Sequence, residues 1–359
     1  MISLRVAMLA AAALGLVAFA PAASAEPVED AVSTFTYTQN MHPLGFSERA
    51  VPSDNTVPGQ GVFNSDLAFW GRTAYQGTYS GFRIVDVSDP ENPIQIVNYT
   101  GCSSPTTTVG NQGDVLVWEN LLIRSWNSPV SAANAATASC GGELVGQGFE
   151  GLSIFDISDP ANPVLVKNLR MAADTTPAGC GSHTATLVPD VARGNLYIYN
   201  SSSSGTCPGI DIVKVPLADP ASATFLRREP SGRSCHDTGV ILGAVNLVGC
   251  AGGNGFTVWS IDPTIDPPAA GSLEDPVQLY SRSVTGVSIG HSASFTWDGA
   301  VLIFGHEPGG GGQAQCQATS SITNRSLFFF QATTGTLLGQ IVHPRPQTNL
   351  ENCTWHNFN

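Results

Sequence analysis

The stretch Gly81-Phe-Arg-Ile-Val-Asp-Val-Ser-Asp-Pro-Glu-Asn-Pro93 returns as Gly151-Leu-Ser-Ile-Phe-Asp-Ile-Ser-Asp-Pro-Ala-Asn-Pro163. Each copy opens on glycine, runs through four or five alternating apolar residues and closes on Asp-Pro-x-Asn-Pro. Alternation with a period of two marks a strand, and the Asp/Asn/Pro cluster marks a turn. A further strand is expected after each turn, over Ile94 to Tyr99 and Val164 to Leu169. Weaker copies start at Gly209 (Ile-Asp-Ile-Val-Lys-Val) and Gly255 (Phe-Thr-Val-Trp-Ser-Ile), and Leu327 to Gln331 is a fifth.

Two more apolar stretches precede the later copies: Asp114 to Trp118 and Asn120 to Ser125 before Gly151, and Thr184 to Val188 and Asn195 to Asn200 before Gly209. The fifth copy follows Ser292 to Trp297 and Ala300 to Phe304. Each unit is therefore four short strands joined by turns. Repeats of roughly 40 to 50 residues with four strands each are the mark of propeller blades. The spacing here is longer and irregular because the loops vary, and no stretch has helical periodicity. The predicted fold class is all-β: a propeller of four-stranded blades, about five of them visible.

Composition agrees. The 359 residues include 38 glycines and 24 prolines, and 42% are hydrophobic, enough for a sizeable core. Charged residues are 12%, about half the roughly 25% usual in soluble domains. The formal net charge of −13 argues against nucleic acid as a partner, since phosphate backbones need clustered Lys and Arg.

Residues 1–25 read as a secretory signal. Arg5 supplies the basic start, Val6 to Phe19 the apolar run, and Ala23-Ser24-Ala25 the cleavage site. The apolar run is shorter than the roughly 20 residues a membrane span needs, and no other run approaches that length. Residues 26–61 form an N-terminal segment, and 62–359 the propeller. Asn40 to Phe46 resembles the fourth-strand segment Asn92 to Asn98, so 40–46 is expected to be a ring-closing strand. The sequence stops inside what reads as the first strand of another blade, His356-Asn-Phe-Asn359. It is therefore expected to be C-terminally truncated.

The Ile-Val-Asp-Val-Ser-Asp-Pro-x-x-Pro units resemble the LVIVD-repeat family, secreted or surface β-propellers of mostly undefined function. The copies at 83–93 and 153–163 match closely, whereas those at 210–215 and 256–261 lack the Asp-x-Ser-Asp-Pro core. The resemblance implies a ring of about seven blades when complete. It also implies a secreted or cell-surface, extracytoplasmic location.

Aligning the first strand of each unit puts Asn64, Gln112, His183, His236, His291 and His356 in one register. Six residues further on stand Trp70, Trp118, Pro189 and Trp297. First strands line a propeller's channel, so these residues are expected to ring one mouth and bind a ligand there. Four imidazoles suit a divalent transition metal such as zinc, copper or iron as cofactor. The competing reading is structural, with polar residues hydrogen-bonding neighbouring blades at a wet, narrow mouth. No HExxH or EF-hand loop adds weight to the metal. Asp237 follows His236, but adjacent residues on a strand face opposite ways, so it is not expected to orient that ring. His306 and Glu307 end a second strand on the same face, His306 as a further metal ligand and Glu307 as a catalytic general base. The glycines from Gly309 to Gly312 lack the Lys-Ser/Thr of a phosphate loop.

Eight cysteines without a CxxC point to disulfides rather than a zinc ribbon. On the blade alignment all eight decorate the histidine face. The expected pairs are Cys102–Cys140, Cys180–Cys207 and Cys235–Cys250 within blades, and Cys316–Cys353 between neighbours. The expected function is non-enzymatic binding by a secreted monomer, its partner a protein, glycan or small ligand. The alternative is a metal-dependent hydrolase or oxidoreductase built on the histidine ring.

Overall fold

The computed structural model describes residues 42–48, 64–103, 113–127, 129–171, 180–202, 207–310, 315, 317–344 and 356–358. The signal segment 1–25, Gln112, Cys316 and Cys353 lie outside these residues. The first sheet is β1 (Asn64–Trp70), β2 (Thr73–Thr78), β3 (Gly81–Asp86) and β4 (Ile94–Tyr99). After the short β5 (Cys102–Ser103) come β6 (Val115–Trp118) and β7 (Leu121–Trp126). Two short strands, β8 (Ser139–Cys140) and β9 (Glu143–Leu144), precede β10 (Gly151–Asp156) and β11 (Val164–Arg170), which complete the second sheet. The third is β12 (Thr184–Asp190), β13 (Asn195–Ser201), β14 (Ile210–Pro216) and β15 (Thr224–Glu229). The fourth is β16 (Thr238–Ile241), β17 (Leu247–Gly252), β18 (Gly255–Ser260) and β19 (Val277–Ser283). The fifth is β20 (Gly290–Phe295), β21 (Val301–His306), β22 (Ser326–Gln331) and β23 (Leu337–Val342). All five are antiparallel and ordered by sequence. Among the described residues, no helix is long and apolar enough to cross a membrane.

The repeat motif has local causes. In its turn the Asp86 carboxylate accepts the Ser88 amide (2.8 Å), and Asp89 accepts the Glu91 amide (3.0 Å) and the Asn92 side chain (2.9 Å). Asp156 and Asp159 repeat these bonds in the second sheet. Such side-chain-to-backbone bonds hold the turn without help from the rest of the fold. The opening glycine has a different reason. A Cβ on Gly81, Gly151, Gly209 or Gly255 would overlap a carbonyl oxygen of the adjacent fourth strand, at Tyr99, Leu169, Glu229 and Arg282 respectively. The fourth strand also carries one extra residue at the same place in every sheet: Ile96, Val166, Leu226, Leu279 and Leu338. A bulge of this kind increases local twist, as a blade requires.

Blades pack face to face, so middle strands are buried on both sides. On β13, Leu196 and Ile198 face the second sheet's Ile123, Leu152 and Ile154, while Tyr197 and Tyr199 face the fourth sheet's Val248 and Trp259. Phe82, Leu122 and Phe155 fill the first such layer, and Phe256, Phe304 and Phe330 the last. Arg124 is fully buried between the first two sheets and donates to the carbonyls of Thr78 (3.1 Å), Gly81 (3.1 Å) and Ser125 (3.2 Å). First strands meet in succession around the channel: β1 with β6, β6 with β12, β12 with β16, and β16 with β20.

Two features were not legible beforehand. The insertion between β7 and β10 makes a small sheet of β5, β8 and β9, in which Cys102 and Cys140 are register partners. Residues 42–48, the described part of the expected ring-closing segment and its continuation, form no strand. They lie against the first sheet instead: Gly45 abuts Pro90, Glu91 and Pro93, and Arg83 donates to the Ser47 hydroxyl (2.9 Å) and the Glu48 carbonyl (3.2 Å).

Candidate functional site

Every first strand begins at the same channel mouth, and the segments that enter these strands are pinned by their backbones. The His183 amide donates to the Ser201 carbonyl (2.7 Å), the His236 amide to Ala251 (2.6 Å) and the Asp237 amide to His291 (2.9 Å). Disulfides Cys180–Cys207 and Cys235–Cys250 close beside the first two, Cys235 being the residue before His236. Cys102–Cys140 closes near the second blade.

The mouth opens into a cavity of about 800 Å³. His183, His236, His291 and His356 line it together with Glu307, Asp66, Asp114 and Asp237, and no Lys or Arg is among its described lining residues. The backbone of Asn64 starts β1 at this end. His306 is not in the cavity. It is 1% exposed, its Nε2 bonds the Thr323 carbonyl (2.8 Å), and its ring lies among Phe304 and Phe328. His306 ends β21, so it and Glu307 face opposite ways, and only Glu307 reaches the mouth. Burial pushes the His306 imidazole below its usual range.

The four histidines form a row with approximate internal symmetry. His236 and His291 stack, with ring centres 3.8 Å apart and planes 34° apart. His183 stands edge-on to His236 (4.6 Å, 85°), and His356 stands edge-on to His291 (4.6 Å, 89°). Asp237 sits behind the central pair. Its Oδ1 is 2.8 Å from His236 Nδ1 and its Oδ2 is 3.0 Å from His291 Nδ1. The Ser292 hydroxyl also donates to Oδ2 (2.8 Å). Asp237 does orient His236, against the alternation argument, because residues 236 and 237 precede β16 and are not yet in a strand. Burial pushes this carboxyl up, but the bonds from His236 and His291 outweigh it and hold it well below the usual carboxylate range.

These contacts decide the tautomers. A carboxylate only accepts, so both central rings carry a proton on Nδ1, and in the neutral form of each ring it is Nε2 that offers a lone pair. His183 Nδ1 faces the Oδ1 of Asn127 at 3.1 Å, which also only accepts. With the Asn127 amide turned this way, the neutral His183 ring has its lone pair on Nε2, which lies 3.1 Å from His236 Nε2. Two lone pairs pointed at each other at this distance repel unless a cation lies between them. Two imidazoles on one tetrahedral ion, with metal–nitrogen bonds of about 2.0–2.1 Å, stand roughly 3.3 Å apart. Burial, reinforced by His236, pushes His183 down to about 4, so its lone pair is available at neutral pH. Burial and His291 also lower His356.

Ligand atoms of His236, Asp237 and His291 lie within 4.8 Å of one another, as do those of His291, Glu307 and His356. Deeper in the channel the Asp66 carboxylate accepts the Val115 amide (3.0 Å) and Asp114 accepts the Ala185 amide (2.7 Å), each tying its blade to the next. Burial raises Asp66, with a smaller push from Asp237. Burial and the charges of Asp66 and Asp237 raise Asp114 well above its usual range. Sequence reasoning missed this pair, although a signal existed: each stands two residues after a residue of the aligned ring, Asn64 or Gln112.

The sequence profile of the LVIVD repeat matches residues 65–101 and 145–170. The chain carries LVIVD repeats over these residues. Its matched segments cover the first sheet and the last two strands of the second. No curated protein matches the sequence. Among solved structures, the LVIVD-repeat chain is similar to the computationally designed Ika8 protein, at 10% identity over 79% of this chain and 63% of that one (TM-score 0.43). The chain thus spans less than two thirds of that protein's length. It is also similar to the Myceliophteria thermophila Cps50 (Swd1) β-propeller domain, at 9% identity over 81% and 76% of the two chains (TM-score 0.46). The Dos1 propeller is similar at 8% identity over 79% and 60% (TM-score 0.48).

Proposed function

We propose that this LVIVD-repeat propeller is an exported binding protein whose channel mouth takes up a divalent transition-metal ion. One observation carries the reading: the Nε2 atoms of His183 and His236 face each other at 3.1 Å, while the Nδ1 of each ring is turned to a side-chain oxygen. The surroundings support it. Asp237 holds two imidazoles from behind, the carboxylate–histidine arrangement that orients metal ligands and raises their basicity. The cavity is lined by carboxylates without a basic side chain, which favours a cation and disfavours an anionic ligand. Imidazole nitrogens select zinc, copper, nickel or iron over calcium and magnesium. Three disulfides suit an oxidising compartment, as the N-terminal signal-like segment does.

The test is metal analysis of the full chain after chelator stripping and reloading with Zn²⁺. The expected result is tight, stoichiometric zinc that is lost in the double variant His183→Ala, His291→Ala. Substoichiometric zinc that the double variant leaves unchanged would refute the reading.

A further inference from the structure

We infer that the channel mouth holds two metal ions side by side, one on the His183–His236 pair and one on His291, His356 and Glu307. This rests on the metal reading above and deepens it. The row of rings is built as two halves. Each half has one ring held by Asp237 and one ring edge-on to it, with nearly equal spacing and angle: 4.6 Å and 85° against 4.6 Å and 89°. The halves meet at the stacked pair His236 and His291. Since Asp237 occupies both Nδ1 atoms, each central ring has one nitrogen left, its Nε2, and that nitrogen belongs to its own half. A single ion cannot use the whole row, because no group of mutually close ligand atoms spans from His183 to His356.

Spacing and charge both fit a pair. The centres of the His236 and His291 rings are 3.8 Å apart, a spacing of the same order as the roughly 3.5–4 Å between the ions of established two-metal sites. Two dications bring four positive charges. Four carboxylates, those of Asp66, Asp114, Asp237 and Glu307, line the same cavity, with no Lys or Arg among its described lining residues. The ligands also come from separate places in the chain: His183 and His236 enter β12 and β16, whereas Glu307 follows β21 and His356 stands beside β20 through the Ser292 hydroxyl. The second position therefore forms only when residues 356–358 lie against the fifth blade.

The experiment is a Zn²⁺ titration of the chelator-stripped full chain by calorimetry, with bound metal counted after desalting and folding checked by thermal melting. The wild type should bind two ions per chain. Glu307→Gln with His356→Gln should bind one, and His183→Gln should bind one, each with a melting profile close to that of the metal-free wild type. X-ray absorption of the two-zinc form should add a metal–metal vector near 4 Å that both variants lack. One ion per chain in the wild type overturns the inference and leaves the single-ion reading standing. So does loss of all metal in either variant with melting unchanged, because the two positions would then be one centre. No bound zinc at all overturns both. Glu307→Gln alone, at the end of a strand on the cavity wall, keeps the test open if the double variant fails to fold: it should weaken one ion at least tenfold and leave the other untouched.

Discussion

Replacing Asp237 by Asn tests the site where its geometry is most demanding. The aspartate offers one oxygen to each of two imidazole Nδ1–H groups, at 2.8 and 3.0 Å. Asparagine offers one acceptor oxygen and an NH₂ that can only donate. One ring must then either lose its partner or move its proton to Nε2. The second course puts a hydrogen where the metal lone pair was. Removing a partner behind a ligating histidine typically weakens metal binding 10–100-fold, equivalent to about 1.4–2.7 kcal/mol. The expected value for Asp237→Asn lies in that range, and Asp237→Ala should be at its upper end because His236 loses its Nδ1 partner and His291 keeps only the Ser292 hydroxyl (3.0 Å). Zinc affinity measured by competition with a chromophoric chelator at pH 7.5 gives the magnitude. Nitrogen-15 shifts of labelled histidine in the metal-free protein show whether one ring has changed tautomer. Affinity within threefold of the wild type, with both rings still protonated on Nδ1, would refute the assignment of the tautomers and with it the reason for placing an ion there.

Three further outcomes follow from separate parts of the fold. Arg124→Met leaves the carbonyls of Thr78, Gly81 and Ser125 without their donor between two packed blades, and should cost about 3 kcal/mol in denaturant unfolding; unchanged stability would show that the buried guanidinium is dispensable. In the metal-free protein, His183, pushed down to about 4 in the fold, stays neutral while the unfolded chain takes up its proton below about 6.5, so stability is full above 6.5 and falls as the pH drops toward 4, by up to about 3 kcal/mol from this residue. His306 and His356 act with the same sign, and His183→Gln should flatten the melting temperature plotted against pH. Replacing Cys235 and Cys250 by serine opens a loop with a sequence separation of 15 and should cost roughly 3 kcal/mol; it should also weaken zinc binding, because Cys235 anchors the residue before His236.

The blade motif was legible because its causes are local. The Asp86 and Asp89 bonds, the overlap that a side chain at Gly81 would create, and the period-two alternation all lie within one unit, so the close copy at Gly151 carries them in full. The weaker copies at Gly209 and Gly255 form the same strands without the Asp-x-Ser-Asp-Pro core, and Asp262 still accepts the Thr264 amide (2.8 Å) as Asp86 accepts that of Ser88. The histidine register was legible for the same reason: position in the first strand repeats from blade to blade. His306 misled because its neighbour in sequence, Glu307, is at the mouth, and only the strand alternation separates them.

The sequence by itself determined the strand content, the turns, the repeating unit and which residues start each first strand, because short-range sterics and hydrogen bonding set those. Only the tertiary structure decided which of them meet. Asp237 turns back on two imidazoles, Asn127 reaches across 56 positions to His183, and Glu307 joins His291 while His306 is sealed away. The Asp237–His291 and Asn127–His183 contacts run between blades, and their geometry comes from how one sheet packs on the next, which no single repeat encodes.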